Sequence, residues 1–197
     1  MAEGLLPVKI HSRSKAKWKE SIRESHDDPD TRFVTEMDIF MIENYDKAIA
    51  QMEQRVEEHA LNVNMQDYRL ARSLPGIGKI LALTILYETI HIERFPSVKD
   101  YVSYSRLVSG TNSSGGKDFG GKGRKMGNPH LKWAFMQAAI LCKRADPQLA
   151  AYAEKLTRKH GKHIANSILA AKICRAIYFM LSRKTGFSPD LLMKGKR

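Results

Sequence analysis

The stretch Leu74-Pro75-Gly76-Ile77-Gly78-Lys79, followed by Ile80-Leu81-Ala82-Leu83-Thr84-Ile85-Leu86, decides the architecture. Proline lacks a backbone donor and its ring clashes with the preceding helical turn. Glycine reaches positive φ without steric cost. The string therefore predicts the end of one helix, a tight turn and the start of a second helix. That second helix is apolar nearly all round, which assigns it to a core. Its first amide groups meet no capping side chain, an arrangement suited to gripping an anion. A helix-hairpin-helix of this shape holds DNA backbone without reading bases. An ordinary αα-corner with glycine in its turn is the other reading. Gly76, Gly78 and Lys79 are the candidate backbone contacts.

Upstream, residues 35–72 read as a helical arm. Ile42, Tyr45, Ile49, Met52 and Val56 recur at spacings of three and four, with charged residues between them. Two heptads do not distinguish a seam between chains from packing within one domain. Residues 1–34 are polar, with a breaker expected at Asp27-Asp28-Pro29-Asp30, and read as a lead-in or linker remnant.

Downstream, Ser97 and Asp100 have the spacing of a capping box for a short helix through Tyr104. Between Val108 and Pro129 periodicity disappears. Seven of the 13 glycines fall between Gly110 and Gly127, and a long loop is expected there. Beyond it, helices are expected over Leu131–Arg144, Pro147–His160 (stopped by Gly161) and Lys162–Lys184. No strand of length and no internal repeat is read. The expected fold is mainly α: a helical arm, then a helix-hairpin-helix-containing helical domain over 73–197 with a long glycine-rich basic loop.

The chain carries 33 Lys and Arg against 21 Asp and Glu, net +12. Residues 1–98 hold 13 basic and 16 acidic residues, and residues 99–197 hold 20 and 5, so the halves sum to −3 and +15. Such a split points to a C-terminal half that binds a polyanion, with nucleic acid as the leading partner, because each phosphate neutralised releases counterions. Two isolated cysteines, Cys142 and Cys174, lack metal-ligand spacing and fit a reducing compartment. With no signal core at the N-terminus and no apolar run expected to span a membrane, a cytoplasmic protein is expected.

The residues offer little metal chemistry. The seven histidines are scattered, and His160 and His163 lie among Lys and Arg. A two-metal site needs several converging carboxylates, which the C-terminal half does not supply, so no metal site is assigned to this chain. Hydroxyl chemistry remains. Asn112-Ser113-Ser114-Gly115-Gly116-Lys117 puts serine on a glycine-rich turn, with Arg106, Lys117, Lys122, Arg124 and Lys125 near in sequence. A serine attacking a phosphodiester needs open approach to phosphorus and positive charge around the transition state. A solvated loop serine has the same signature, so spacing alone leaves both readings open.

Several strings occur in order: Leu74-Pro-Gly-Ile-Gly, Tyr104-Ser-Arg-Leu-Val, Ser113-Ser-Gly-Gly-Lys, Gly120-Gly-Lys-Gly-Arg-Lys-Met-Gly-Asn-Pro-His-Leu-Lys-Trp-Ala, and His160-Gly-Lys ahead of a long helix. Together, from about Thr35 to the C-terminus, they resemble the C-terminal domain of the insertion-sequence transposases of the one-hundred-and-ten family, the bridge-RNA-guided recombinases. The resemblance implies DNA strand exchange through a phosphoserine, directed by a structured guide RNA, with Ser114 matching the family's serine. Asn128, His130 and Lys132, within the fourth string, join the expected nucleic-acid contacts. In that family an N-terminal RNase H-like domain holds Mg2+. This sequence begins within the arm, so it is expected to be a C-terminal segment that carries no cofactor itself and needs the acidic domain for recombination. Ser109 departs from the proline common among relatives. Two alternatives stand beside this reading: a non-catalytic nucleic-acid-binding helix-hairpin-helix module, and a structural role in which the arm forms a homo-oligomer.

Overall fold

The computed structural model describes residues 22, 28–108, 113–114, 117–118 and 126–193, with only the backbone of Ser113, Ser114, Lys117, Asp118 and Leu191. The chain divides into two compact units between Arg55 and Val56.

Helix α1 (Pro29–Ser73) enters the described structure at Asp28. The Asp28 carboxylate accepts from the Thr31 hydroxyl (2.7 Å) and the Thr31 amide (2.8 Å), bonds that hold its pKa below the ordinary value. Pro29 occupies the first helical position, where a missing amide proton is tolerated. The Asp28-Pro29 pair, expected as a breaker, is thus a helix start, and the helix begins before Thr35. In the first unit the apolar stripe of α1 is outward: Tyr45, Ile49 and Met52 are all exposed.

In the second unit α1 bends. Asn64 has non-helical backbone angles (φ −148°, ψ 60°) and caps the segment after it. Its Oδ1 accepts from the Asp67 amide (3.2 Å), and its Nδ2 donates to Asp67 Oδ2 (2.7 Å). The Tyr68 hydroxyl donates to Glu57 Oε1 at 2.5 Å across 11 residues. On a straight helix their Cα atoms would lie ~16 Å apart, beyond the combined reach of the two side chains. The chain therefore folds back at Asn64. Lys184, in the left-handed region at the end of the last long helix, fixes this bend through Asp67 Oδ1 at 2.6 Å.

Helix α2 (Lys79–Thr89), a 3-10 turn (Ile92–Arg94) and α3 (Val98–Tyr104) follow. The capping box at Ser97 forms as expected: the Asp100 amide donates to Ser97 Oγ, and the Ser97 amide donates to Asp100 Oδ2. A short antiparallel ribbon pairs β1 (Ser113–Ser114) with β2 (Lys117–Asp118). Then come α4 (Pro129–Ala145), α5 (Pro147–His160), α6 (Lys162–Arg183) and α7 (Pro189–Met193). The fold is mainly α, and the bounds of α4 to α6 follow the Pro and Gly punctuation of the sequence.

Helix α6 is the centre of the second unit. Its Leu169, Ile173, Cys174, Ile177 and Leu181 are buried against α3, α4 and α5. By length and composition alone α6 is apolar enough to cross a membrane, which the sequence reading did not foresee. In this fold its apolar face is core. Helix α4 presents Leu131, Ala134, Phe135, Ala138, Ala139 and Cys142 at helical spacing, and these buried positions include alanines small enough for close helix approach. Tyr101 is fully buried at the centre of an aromatic group, 4.9 Å from Phe95 and 6.1 Å from Phe135 between ring centroids. Its hydroxyl is satisfied by Thr89 Oγ1 at 2.8 Å. Burial pushes the Tyr101 pKa well above its ordinary value.

Candidate nucleic-acid interface

Helix α4 organises the candidate residues into two groups, one at each of its ends. At its C-terminal end lies the turn between α1 and α2. Gly76 has φ 88° and sits against the α4 backbone. A Cβ there would overlap Cys142 N and lie 2.7 Å from Cys142 Cα and 2.8 Å from the Leu141 carbonyl carbon. Gly76 is therefore required for close packing as well as for positive φ. Gly78 differs from the expectation that both glycines use positive φ: its φ is −81°, and open space surrounds its Cα. It is the N-cap of α2, with no side-chain cap bond, so the first amides of α2 meet no capping side chain. Lys79, at the first position of α2, approaches Glu57 Oε2 at 3.7 Å. Glu57 also accepts from Tyr68, whose pKa is raised by burial and then by that carboxylate.

At the N-terminal end of α4 the two stems of the glycine-rich segment are tied together. The Asn128 amide donates to the Tyr104 carbonyl at 2.6 Å, and Arg106 Nε donates to the Gly127 carbonyl at 2.9 Å. Gly127 has φ 97°, and a Cβ there would overlap the Tyr104 carbonyl oxygen. Arg106 itself has φ 54°. Asn128 is buried and serves as the N-cap of α4, accepting from the His130 amide (2.9 Å) and the Leu131 amide (3.0 Å). Its Nδ2 donates to Glu88 Oε2 (2.6 Å) and to the Tyr104 hydroxyl (3.4 Å). Asn128 thus positions the stems, with its polar atoms directed to protein partners. His130 and Lys132 are exposed on the first turn of α4, beside Trp133, which is 47% exposed.

Ser114 lies on the ribbon with Lys117 as its register partner, and Ser113 is paired with Asp118. This placement comes from the backbone. Two residues, Gly115 and Gly116, separate the paired positions, and glycine is favoured in connections of that length. Lys122, Arg124 and Lys125 lie outside the described residues, as do Ser109 and most of the glycine-rich segment.

The two groups are not one patch. Gly76 meets α4 at Leu141 and Cys142, whereas Asn128 caps its start, a separation of ~20 Å along the helix. Helix α2 connects them, running from the turn at Gly76 to the Glu88–Asn128 bond. Sequence reasoning missed Glu88, Tyr104 and Gly127 as parts of the stem clamp. The Asn128-Pro129 pair carried a usable signal, since an N-cap residue followed by Pro at the first helical position marks a helix start. Among the described residues no group of three or more His, Cys, Asp or Glu could hold a metal ion.

Residues 68–154, from the second part of α1 into α5, match the model of the family described as Transposase IS116/IS110/IS902 family. The chain is also similar to the insertion element IS110 uncharacterized 43.6 kDa protein of Streptomyces coelicolor, at 26% identity over 146 residues. That alignment covers 73% of this chain and 36% of the relative, so the chain spans about a third of its length. No solved structure matches. The matched residues contain both the turn between α1 and α2 and the tied stems at Tyr104–Arg106 and Gly127–Asn128, and together with the distant relative they support the transposase family that the sequence motifs resemble.

Proposed function

We propose that this chain is the DNA-handling part of a transposase, with Ser114 as the nucleophile in DNA strand exchange. The observation that carries the reading is the transposase-family match over residues 68–154, which includes Ser114 and the clamped stems on either side of it. The +15 of residues 99–197 suits a partner made of phosphates. In this reading the hairpin end of α4, through Gly78, Lys79 and the first amides of α2, takes DNA backbone. The stem end, with Arg106, His130 and Lys132, takes the strand presented to Ser114. A ~20 Å separation is about six nucleotides along one strand of B-DNA, so one duplex can reach both.

The Ser114 hydroxyl oxygen would bond to phosphorus as the bridging ester oxygen of the attacked strand leaves. Lys117, its register partner, and the basic residues Lys122, Arg124 and Lys125 would offset the charge that develops on the phosphorane. Among the described residues no group of three or more His, Cys, Asp or Glu could hold a metal ion beside it. Activation of a hydroxyl that is weakly nucleophilic at neutral pH would come from an acidic RNase H-like domain outside this sequence, with its Mg2+. A structured guide RNA would direct the exchange, in the cytoplasm. Self-association through Tyr45, Ile49 and Met52 of α1 belongs to the same proposal.

A strand-exchange assay tests this. This chain alone is expected to bind duplex DNA and exchange no strands, while addition of the acidic domain, Mg2+ and guide RNA is expected to produce exchange. Binding without exchange in the complete mixture would favour a non-catalytic DNA-binding module.

A further inference from the structure

The corner between α5 and α6 lies outside the domain matched to the transposase family and outside both groups on α4. The residues from Arg158 to Ile164 (Arg-Lys-His-Gly-Lys-His-Ile) are all exposed. Across α5 and α6, residues 147–183, Lys155, Arg158, Lys159, Lys162, Lys172, Arg175 and Arg183 face a single carboxylate, Glu154. Lys172 is turned inward, with its Nζ 3.0 Å from the Leu192 carbonyl. Arg183 lies over the Phe179 ring at 4.5 Å. Arg175 lies 13 residues beyond Lys162 on α6, ~20 Å along the helix, so the cations at the corner are Lys155, Arg158, Lys159 and Lys162. Arg158 contacts Glu154 at 3.8 Å, but both side chains are largely exposed, 82% and 71%, so solvent screens the pair and the guanidinium field remains.

The position of the corner is also defined. Lys143 Nζ, in the last turn of α4, donates to Asn166 Oδ1 at 2.7 Å, one turn into α6. The corner therefore stands at the same end of α4 as the hairpin turn, where Gly76 meets Cys142. No Phe, Tyr or Trp lies between Ala153 and Ser167, and the two imidazoles there, His160 and His163, offer far smaller stacking faces. Surfaces built for single strands combine positive charge with aromatic platforms for the bases, whereas a duplex presents its phosphates and keeps its bases stacked.

We propose that Lys155, Arg158, Lys159 and Lys162 form a docking surface for the backbone of duplex DNA, continuing the path of the duplex beyond the hairpin. The proposal rests on the DNA-handling reading of this domain. The surface carries no sequence preference, because its contacts are to phosphate.

The test is binding of the full chain to a mixed-sequence duplex DNA of a few helical turns, across salt between about 50 and 200 mM. Lys159→Gln/Lys162→Gln is compared with a control, Lys99→Gln/Arg69→Gln, that removes two exposed cations elsewhere. Circular dichroism confirms that each variant is folded, and exposed positions tolerate these changes. The corner variant is expected to bind on the order of tenfold more weakly at the upper salt, with the log-log salt slope reduced by about 1.8, two phosphate contacts. The control is expected to leave the slope unchanged. An unchanged slope in the corner variant, or an equal loss in the control, overturns the proposal while leaving the hairpin reading in place. A loss confined to duplex RNA in a parallel titration overturns the DNA assignment. Failure of the unsubstituted chain to bind duplex DNA at any salt overturns both.

Discussion

Gly76→Ala and Gly78→Ala add the same methyl group two positions apart, and the structure predicts opposite outcomes. At Gly76 the backbone has φ 88°, a region that costs an L-residue roughly 1–2 kcal/mol. The new Cβ would also meet the backbone of α4, with Cys142 Cα at 2.7 Å and the Leu141 carbonyl carbon at 2.8 Å. Backbone atoms in a packed helix cannot swing away as a side-chain tip can, and overpacking of this kind costs typically 1–3 kcal/mol. The sum is about 2–5 kcal/mol, a large share of the roughly 5–15 kcal/mol that holds a typical domain folded. For a chain of this size it lowers Tm by about 5–20 °C. At Gly78 φ is −81° and nothing lies within 4 Å of the added Cβ. Alanine is a slightly poorer N-cap than glycine, but it reduces unfolded-chain entropy by a similar amount, so the net change stays within about 1 kcal/mol. Urea denaturation of both variants measures the contrast. Equal losses, or a Gly76→Ala variant as stable as the parent, would refute the close-packing argument. The contrast also selects Gly78→Val, with Gly76 intact, as the variant that probes DNA binding at the hairpin without breaking the fold.

Asn128→Ala removes the cap of α4 and leaves Glu88 without its 2.6 Å partner, so a loss of about 2–3 kcal/mol is expected in urea denaturation; a loss under 0.5 kcal/mol would contradict the clamp. Lys184→Met strips the ion pair from the nearly buried Asp67 carboxylate, and because Lys184 is 40% exposed the expected cost is moderated to about 1–2 kcal/mol, read by the same assay. Burial pushes the Cys142 thiol up to about 11 and the Cys174 thiol up to about 12, from 9.0. Since the unfolded thiols ionise first, the stability they contribute is intact below pH 9 and declines as pH rises toward 11–12. Both thiols should accordingly resist alkylation at pH 8 in the native protein and react after denaturation; fast native labelling would place them at the surface.

Much of the fold was legible because the sequence is punctuated. Pro147 and Gly161 bound α5, Pro129 opens α4, and Ser97 with Asp100 caps α3, each by a local backbone rule that packing did not override. The bend at Asn64 was not legible. No Gly or Pro marks it, the residues on either side suit a helix, and beside the local Asn64–Asp67 cap the Glu57–Tyr68 and Asp67–Lys184 contacts hold it. The candidate site was legible as a list of residue types and illegible as geometry. Arg106 and Asn128 were read as nucleic-acid contacts by their place among basic strings, but what each bonds to depends on how α2, α3 and α4 pack. The same packing separates the hairpin group from the stem group by ~20 Å, which no linear spacing reveals.

Mass mapping of the protein–DNA adduct decides whether Ser114 is the residue that bonds to the DNA. With the acidic domain, Mg2+ and guide RNA supplied, digestion of the trapped complex should yield one modified peptide carrying a phosphoester on Ser114. Ser114→Ala should abolish the adduct, and Ser113→Ala should leave it largely intact. An adduct that survives Ser114→Ala, with the phosphoester mapped to another residue, would contradict the assignment.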